Sequence, residues 1–208
     1  MMRRNDAGQS MLETLIVMPL VVFLLLAVVQ LLWLFLTHQM VQSAAVFVTR
    51  QASMDGGNLI RKMETLEKRM RPLPGKAVHV PLVIRLHPTD QQIIQYADEV
   101  IRQGQRYYRL STDFTLVRLH NLPADMREHW LRTRIVQYEV VWCQPLKVPV
   151  AASIMGYFLR YTLDDKQQYC NLQAAGREPM KAVTSRAAAP LIAPLEFHYN
   201  ELTIDQGR

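Results

Sequence analysis

The sequence predicts an α+β protein in which a long N-terminal transmembrane helix continues into a small extracytoplasmic domain with a mainly antiparallel sheet. Three observations support this. Residues 14–36 carry no charged side chain, a helical apolar pattern continues to about residue 54, and short helix and strand patterns alternate over 55–208. We therefore expect a leader at 1–8, a helix over 9–54 and one domain after it.

The apolar run from Thr14 to Leu36 is long enough to cross a bilayer. As a helix it would extend about 34 Å at about 1.5 Å per residue, against a hydrocarbon core of about 30 Å. Pro19 removes one backbone donor, and Gln30 is the strongly polar side chain of the run. Arg3 and Arg4 favour a cytoplasmic N-terminus by the positive-inside bias, which leaves the C-terminal domain outside.

Gly8 and Glu13 stand at the cytoplasmic end of this run. A charge inside the bilayer is disfavoured by roughly 2.5–3.5 kcal/mol on insertion scales, so it usually marks a function and a partner. Residues 1–8 contain no apolar stretch, unlike an ordinary secretory signal. This order favours a peptidase that cuts on the cytoplasmic side and leaves the helix in the product. A plain membrane anchor would explain the apolar run but neither Gly8 nor Glu13.

The string GQSMLETLIVMPL, which contains Gly8, Glu13 and Pro19, resembles the TadE-like minor pilins, or pseudopilins, of tight-adherence (Flp, type IVb) pilus systems. The resemblance covers roughly residues 8–52. It implies a pilin-like fold and cleavage after Gly8 by a prepilin peptidase, so that Gln9 begins the mature chain. It also implies an inner-membrane protein with a periplasmic C-terminal domain that takes part in assembling a pilus or a related secretion apparatus.

The same resemblance implies the partners: a prepilin peptidase, other pilins or pseudopilins, the inner-membrane assembly platform and membrane lipid. Cleavage would create an α-ammonium at Gln9, one helical turn from the Glu13 carboxylate. Within a subunit or between subunits, these charges would compensate each other in a medium where either alone is costly. We therefore expect Glu13 to direct assembly, with Pro19 in the same segment.

Helical spacing continues beyond the apolar run. One face of the continuing helix carries five small or β-branched apolar residues: Val41, Ala44, Ala45, Val48 and Ala52. The sequence at 55–58, Asp-Gly-Gly-Asn, is a helix stop. For a helix from about Ser10 to Met54, we expect the upper half to dock on its own domain through this stripe. The lower half is expected to contact other subunits.

Eight elements are expected in the domain, in chain order: a charged helix at 58–71, an edge strand at 77–86, a helix at 89–103, a strand or hairpin at 106–119, a short helix at 123–131, the strongest strand at 134–143, and weaker strands at 156–162 and 180–186. Pro81 favours an edge position for the first strand, because proline cannot donate to a strand ladder. Thr89 and Gln92 form a capping box that opens the second helix.

Cys143 and Cys170 both lie in the predicted extracytoplasmic part. An even number of cysteines in an oxidising compartment favours a disulfide, with two reduced cysteines as the alternative. Two cysteines without clustered histidines make a poor metal site, so we expect no metal. No motif for a cofactor is present either.

The remaining sequence gives no support for catalysis. The six histidines are dispersed, and no H-E-x-x-H pair, nucleophile elbow, phosphate-binding loop or dinucleotide fingerprint occurs. We therefore expect a protein that is not an enzyme. The part after Leu36 keeps the full net charge of +6, because Arg3 and Arg4 offset Asp6 and Glu13. No nucleic-acid motif accompanies this charge, so solvation or anionic lipid head groups explain it better than nucleic acid.

Two alternatives remain open at this point. An unprocessed, membrane-anchored periplasmic enzyme would be marked by a cleft that holds a buried cluster of titratable groups. A binding module at a filament tip would be marked by an exposed apolar or aromatic patch.

Overall fold

The computed structural model describes residues 7–72, 80–112, 115–174 and 178–198. Side chains are described within these ranges except at 7–14, 59, 149–151 and 198. The predicted α+β class is confirmed: one 48-residue helix, α1, precedes shorter helices and two three-stranded sheets.

The elements of the described residues, in chain order, are α1 (Ala7–Met54), α2 (Leu59–Met70), β1 (Leu82–His87), α3 (Asp90–Tyr96), β2 (Asp98–Arg102), β3 (Gln105–Leu110), α4 (Thr115–Asn121), α5 (Ala124–Arg132), β4 (Ile135–Pro145), α6 (Pro149–Arg160), α7 (Asp165–Ala174), β5 (Met180–Pro190) and β6 (Leu195–His198). The order of strands is β1-β4-β5 in one sheet and β2-β3-β6 in the other.

The end of α1 at Met54 is the predicted one, and glycines form the turn that follows it. Gly56 and Gly57 have φ angles of 68° and 85°, which glycine adopts at little steric cost. The Gly57 N–H donates to the Ala52 carbonyl over 3.1 Å and closes the helix end. Asn58 then caps α2, because its side-chain oxygen accepts from the N–H groups of Ile60 and Arg61.

Strand β4 is the central strand of its sheet, and β1 lies at the edge as predicted. The two strands run antiparallel, with Val83 opposite Val140. Within β4, residues 138–141 are all buried, so both faces of the strand are covered. Strand β1 begins at Leu82, later than the predicted start at residue 77, and residues 77–79 lie outside the described residues.

The predicted helix over 89–103 is wrong in its second half. The capping box between Thr89 and Gln92 is present, but α3 ends at Tyr96. Residues 98–102 instead form β2, which pairs with β3 across a two-residue turn. Gln103 and Gly104 in that turn both have positive φ angles, 51° and 79°, the backbone of a tight hairpin.

Two further expectations are corrected. The strand expected within 106–119 is β3, but residues 115–121 form the helix α4 rather than the second arm of a hairpin. Asp113, in the predicted hairpin turn, lies outside the described residues. The strand expected at 156–162 is also wrong, because residues 149–160 form the helix α6 with proline in its first turn. Proline is well suited to that position, where its missing N–H would have no partner.

The chain divides into two compact units. Within the described residues, the first comprises 7–38, 143–174 and 178–183, and we call it the disulfide unit. The second, the sheet unit, comprises 39–72, 80–112, 115–142 and 184–198. Its core is a cluster of buried residues: Ala52, Ile93, Leu110, Val136, Tyr138, Ala189, Leu195 and Phe197.

Candidate assembly helix and its surroundings

The first turns of α1 that have described side chains are exposed in every direction. The large apolar residues from Leu15 to Leu26 are 36–71% exposed, over about three helical turns. Helix α1 is long and apolar enough to cross a membrane once. A helix that is apolar all round and has no protein around it is suited to lipid or to other apolar helices.

The residues predicted to carry processing and assembly are at the start of the same helix. Gly8, Gln9 and Glu13 lie within α1, and their side chains are outside the described part of the structure. Pro19 is exposed, and the helix continues on both sides of it. The backbone therefore places Glu13 one turn beyond Gln9 on one continuous helix.

The upper half of α1 is docked on its own domain, as predicted. Each residue of the predicted stripe is at most 1% exposed: Val41, Ala44, Ala45, Val48 and Ala52. Thr49 lies among them and donates to the carbonyls of Ala45, at 2.8 Å, and Ala187, at 3.4 Å. The small side chains allow this half of the helix to approach β5 closely.

Within the disulfide unit, a hydrogen bond joins the start of α6 to the lower half of α1. Gln30 is 1% exposed, and its Oε1 accepts from the backbone N–H of Val148 over 3.2 Å. Val148 is the N-cap residue of α6, so Gln30 satisfies one of the free N–H groups at that helix start. Sequence analysis singled out Gln30 as polar but did not identify its partner, which is 118 residues away.

A disulfide and a buried glutamine also stabilise the disulfide unit. Cys143 and Cys170, the candidate pair, are joined by a disulfide that links β4 to α7. Gln167 on α7 is fully buried; its Nε2 donates to the Met180 carbonyl over 2.7 Å, and its Oε1 accepts from the Ala182 N–H over 2.9 Å. Because both ends of the amide are paired, Gln167 fixes α7 to the first residues of β5.

Helix α6 and the residues just after it present an exposed aromatic patch that sequence analysis did not predict. We use this name for Ile154, Tyr157, Phe158, Tyr161 and Leu163, which are 47–89% exposed. The Tyr157 ring meets those of Phe158 and Tyr161 edge to face, at centroid distances of 5.9 and 5.3 Å. The aromatic residues were read as a strand, and the Val148-Pro149 helix start was the signal that could have corrected this.

Two buried charged side chains of the sheet unit, Glu139 and Arg134, differ in their surroundings. Arg186 donates to Glu139, whose side chain is 3% exposed, over 2.9 Å. The guanidinium of Arg134 instead lies 4.2 Å from the centroid of the Trp130 ring, and its three nitrogens are buried without a hydrogen-bond partner. Burial, and secondarily the charge of Arg118, lower the pKa of Arg134 to about 10.

The described residues contain no group of three or more His, Cys, Asp or Glu side chains that could hold a metal ion. At the end of α1, the carboxylate of Asp55 forms an ion pair with Arg61. Asp55 accepts from Gln51 and Arg61, and these two hydrogen bonds lower the pKa of the Asp55 carboxyl. The arrangement links the end of α1 to the first turn of α2 through Arg61.

Comparison with known proteins finds a similarity in the N-terminal part of the chain. Residues 8–50 match the family model described as TadE-like protein, which confirms the resemblance predicted from Gly8, Glu13 and Pro19. The match covers about a fifth of the chain and falls within α1. No curated protein and no solved structure matches the chain.

Proposed function

Starting from this TadE-like N-terminal region, we propose that the protein is a minor pilin or pseudopilin without enzymatic activity. It would take part in assembling a tight-adherence (Flp, type IVb) pilus or a related secretion apparatus. The observation that carries the proposal is the coincidence of two features. The family match at 8–50 falls on a single helix whose first described turns are exposed and whose later turns are docked on the domain.

Processing after Gly8 is the first step that we propose. A prepilin peptidase would remove residues 1–8 at the cytoplasmic face, and Gln9 would begin the mature chain. The new α-ammonium and the Glu13 carboxylate would then lie one turn apart on α1. Because each charge alone is costly in a lipid environment, pairing within or between subunits would select the correct axial position of the helix.

The proposed location follows from the same helix. The N-terminus would be cytoplasmic, α1 would cross the inner membrane once, and the domain would lie in the periplasm. The implied partners are the prepilin peptidase, other pilins and the inner-membrane assembly platform. Support comes from Leu15 to Leu26, whose exposed apolar side chains suit contact with lipid and with the helices of other subunits.

A pair of variants tests the role proposed for Glu13. The full chain would be expressed with its prepilin peptidase and the other pilins of its own system, as wild type, Glu13→Ala or Val17→Ala. Val17 is 52% exposed and lies one turn further along the helix. We expect all three proteins to resist alkaline extraction from membranes. Co-isolation with the other pilins should fall at least tenfold for Glu13→Ala and stay near the wild-type level for Val17→Ala.

Two outcomes would contradict this role. Wild-type co-isolation of the Glu13→Ala protein would remove the residue from assembly. Failure of that variant to enter the membrane would show that Glu13 acts in insertion rather than in pairing between subunits.

A binding module is the second candidate function, and the exposed aromatic patch of α6 is the observation that favours it. In that case a protein partner would cover Tyr157 and Phe158 after assembly. The experiment at the end of the next subsection separates this candidate from contact with lipid.

A further inference from the structure

The aromatic patch of α6 lies on the helix that is bonded to the lower half of α1. The Val148 N–H at the start of α6 donates to Gln30, and Gln30 lies inside the apolar run of α1. About 22 Å of helix separates Leu15 from Gln30 at about 1.5 Å per residue. Helix α6 therefore starts at a level of α1 where the chain is still apolar, rather than beyond the predicted span.

The exposure of α1 changes at the same level. From Leu15 to Leu26 the large side chains are exposed all round the helix. From Gln30 onward one face is covered, since Gln30 and Thr37 are buried while Leu31, Leu32 and Leu36 remain exposed. A helix surrounded only by lipid would have no such protein-covered face. If the covered face lies outside the hydrocarbon core, the outer boundary of that core is near Gln30, some six residues before the end of the apolar run.

A boundary near Gln30 gives the span a suitable length. Residues 11–30 make about 30 Å of helix, the thickness of a typical hydrocarbon core. That span would also include Glu13 near its inner end, where a partner for the carboxylate is most needed. The side chains that flank such a boundary are characteristically Tyr and Trp, whose rings combine apolar area with a polar tip.

The aromatic patch has this chemistry. Tyr157 and Tyr161 present a hydroxyl on an exposed ring, while Phe158 and Leu163 are wholly apolar and 69% and 89% exposed. The nearby charges nearly balance: Arg160 is followed by Asp164 and Asp165 and then by Lys166. The patch is therefore built for insertion of apolar area at an interface rather than for electrostatic attraction to anionic lipid.

We propose that the α6 aromatic patch lies in the outer membrane–water interface of the bilayer that α1 crosses. The protein would then touch the membrane twice, through a spanning helix and through a helix lying at the surface. This proposal rests on membrane anchoring by α1, but not on processing at Gly8. The Gln30 contact and the disulfide hold α6 at the correct height, because the first bonds α6 to α1 and the second fixes α7, which packs on α6.

Site-specific photocrosslinking in the full chain tests the proposal. The protein would be reconstituted in vesicles of phosphatidylethanolamine and phosphatidylglycerol with p-benzoylphenylalanine at one position. The test position is Phe158, and the matched control is Leu116 on α4, which is 81% exposed. Leu15, which is 71% exposed in the apolar helix, reports insertion of α1 itself. Lipid adducts are counted by mass spectrometry after irradiation.

We expect lipid adducts at Leu15, and a yield at Phe158 at least fivefold above that at Leu116. The excess should persist in vesicles without phosphatidylglycerol, because the proposed contact is apolar. Adducts at Leu15 with none above the Leu116 level at Phe158 would overturn the proposal and leave the membrane anchor intact. Adducts between Phe158 and a second copy of the protein would also overturn it and would favour a binding surface. An absence of lipid adducts at Leu15 would overturn both the anchor and the proposal.

Discussion

The two compact units hold their parts of the same helix by different means. In the disulfide unit, the fully covered positions of α1 among the described residues are Gln30 and Thr37. In the sheet unit, the covered face is formed mainly by the apolar stripe that contains Val41, Ala45 and Ala52. The first part of the helix is joined to α6 by the hydrogen bond from the Val148 N–H to Gln30, and the second is docked through the shape of small apolar side chains.

The difference has a physical reason if α1 is in the membrane up to about Gln30, the level of the proposed boundary. An apolar face gains little from docking there, because lipid chains are as apolar as leucine. A polar group such as the Gln30 amide, by contrast, has few partners other than the Val148 N–H. In water the hydrophobic effect itself favours docking, and a stripe of small residues is then sufficient.

Among the variants that test this comparison, removal of the disulfide should cause the largest loss of stability. Replacing both Cys143 and Cys170 by alanine releases a loop of 27 residues. On the chain-entropy model this costs the disulfide unit about 3.5 kcal/mol. We expect faster hydrogen exchange in α7, with the amides of β3 in the sheet unit unchanged. Equal exchange in α7 before and after the substitution would mean that the bond does not hold this unit together.

The buried amide of Gln167 is expected to have the next largest effect. Gln167→Leu leaves the Met180 carbonyl and the Ala182 N–H without this partner, at a cost of roughly 2–3 kcal/mol in the free energy of unfolding. Gln168→Leu is the matched control, because the Gln168 side chain is next to Gln167 in sequence but exposed. Denaturant titration in detergent should separate the two variants. Similar midpoints for both would show that the polar contacts contribute little to this unit.

Overpacking the apolar stripe should affect the sheet unit. Ala45→Leu adds volume at a position that is 0% exposed and should lower the free energy of unfolding by about 2 kcal/mol. Val46→Leu, at the adjacent position that is 43% exposed, should change it by less than about 0.5 kcal/mol. Thermal unfolding followed by circular dichroism would measure both. An unchanged midpoint for Ala45→Leu would contradict the docking of the upper half of α1.

The smallest predicted change is an increase in stability within the sheet unit. Arg134 keeps a buried guanidinium without hydrogen bonds, so Arg134→Met should raise the free energy of unfolding at pH 7 by about 1 kcal/mol. Arg186→Met should lower it instead, since it removes a partner of the buried Glu139. Denaturant titration of both variants at pH 7 checks the opposite signs. A loss of stability in Arg134→Met would show that stacking on Trp130 outweighs the cost of burial.

The same arginine predicts a pH dependence. The folded-state pKa of Arg134, about 10, is below its ordinary value of 12.5, so folding disfavours the charged form. The buried charge of Arg134 destabilises the folded state by its full amount at pH values below about 10. This destabilisation diminishes as the pH rises through that value, because the folded protein then loses the charge. The stability difference between Arg134→Met and wild type should therefore narrow above pH 10. A difference that stays constant to pH 11 would mean that burial does not lower this pKa.

The sequence predicted α1 well because two independent signals agree there. The stripe from Val41 to Ala52 is at helical spacing, and the Gly56-Gly57 pair ends the helix at the expected place. The TadE-like resemblance likewise followed from a short motif that contains Gly8 and Glu13. These features are local in sequence, so they require no knowledge of which segments meet in space.

The features that sequence analysis did not predict depend on contacts between distant residues or on weak turn signals. Gln103-Gly104 forms a tight hairpin turn, but it lacks the Asn-Gly or Asp-Gly signal that marks most such turns. Residues 156–162 were predicted as a weak strand, whereas 149–160 form α6 and Gly156 lies directly against Pro179. A Cβ on Gly156 would be 2.6 Å from the Pro179 Cβ, so this position requires glycine because of a contact with a segment distant in sequence. The pairing of Gln30 with Val148 was equally invisible to sequence patterns.

The most direct test of a TadE-like, processed subunit is the N-terminal residue and intact mass of the protein from membranes. The chain would be expressed with its prepilin peptidase, with a catalytically inactive peptidase, and as a Gly8→Leu variant with the active enzyme. We predict a start at Gln9 only for the wild-type chain with active peptidase, with residues before Gln9 retained in the other two. Retention of those residues in all three samples would contradict the proposed processing, and leave a membrane-anchored domain that is not a pilin precursor.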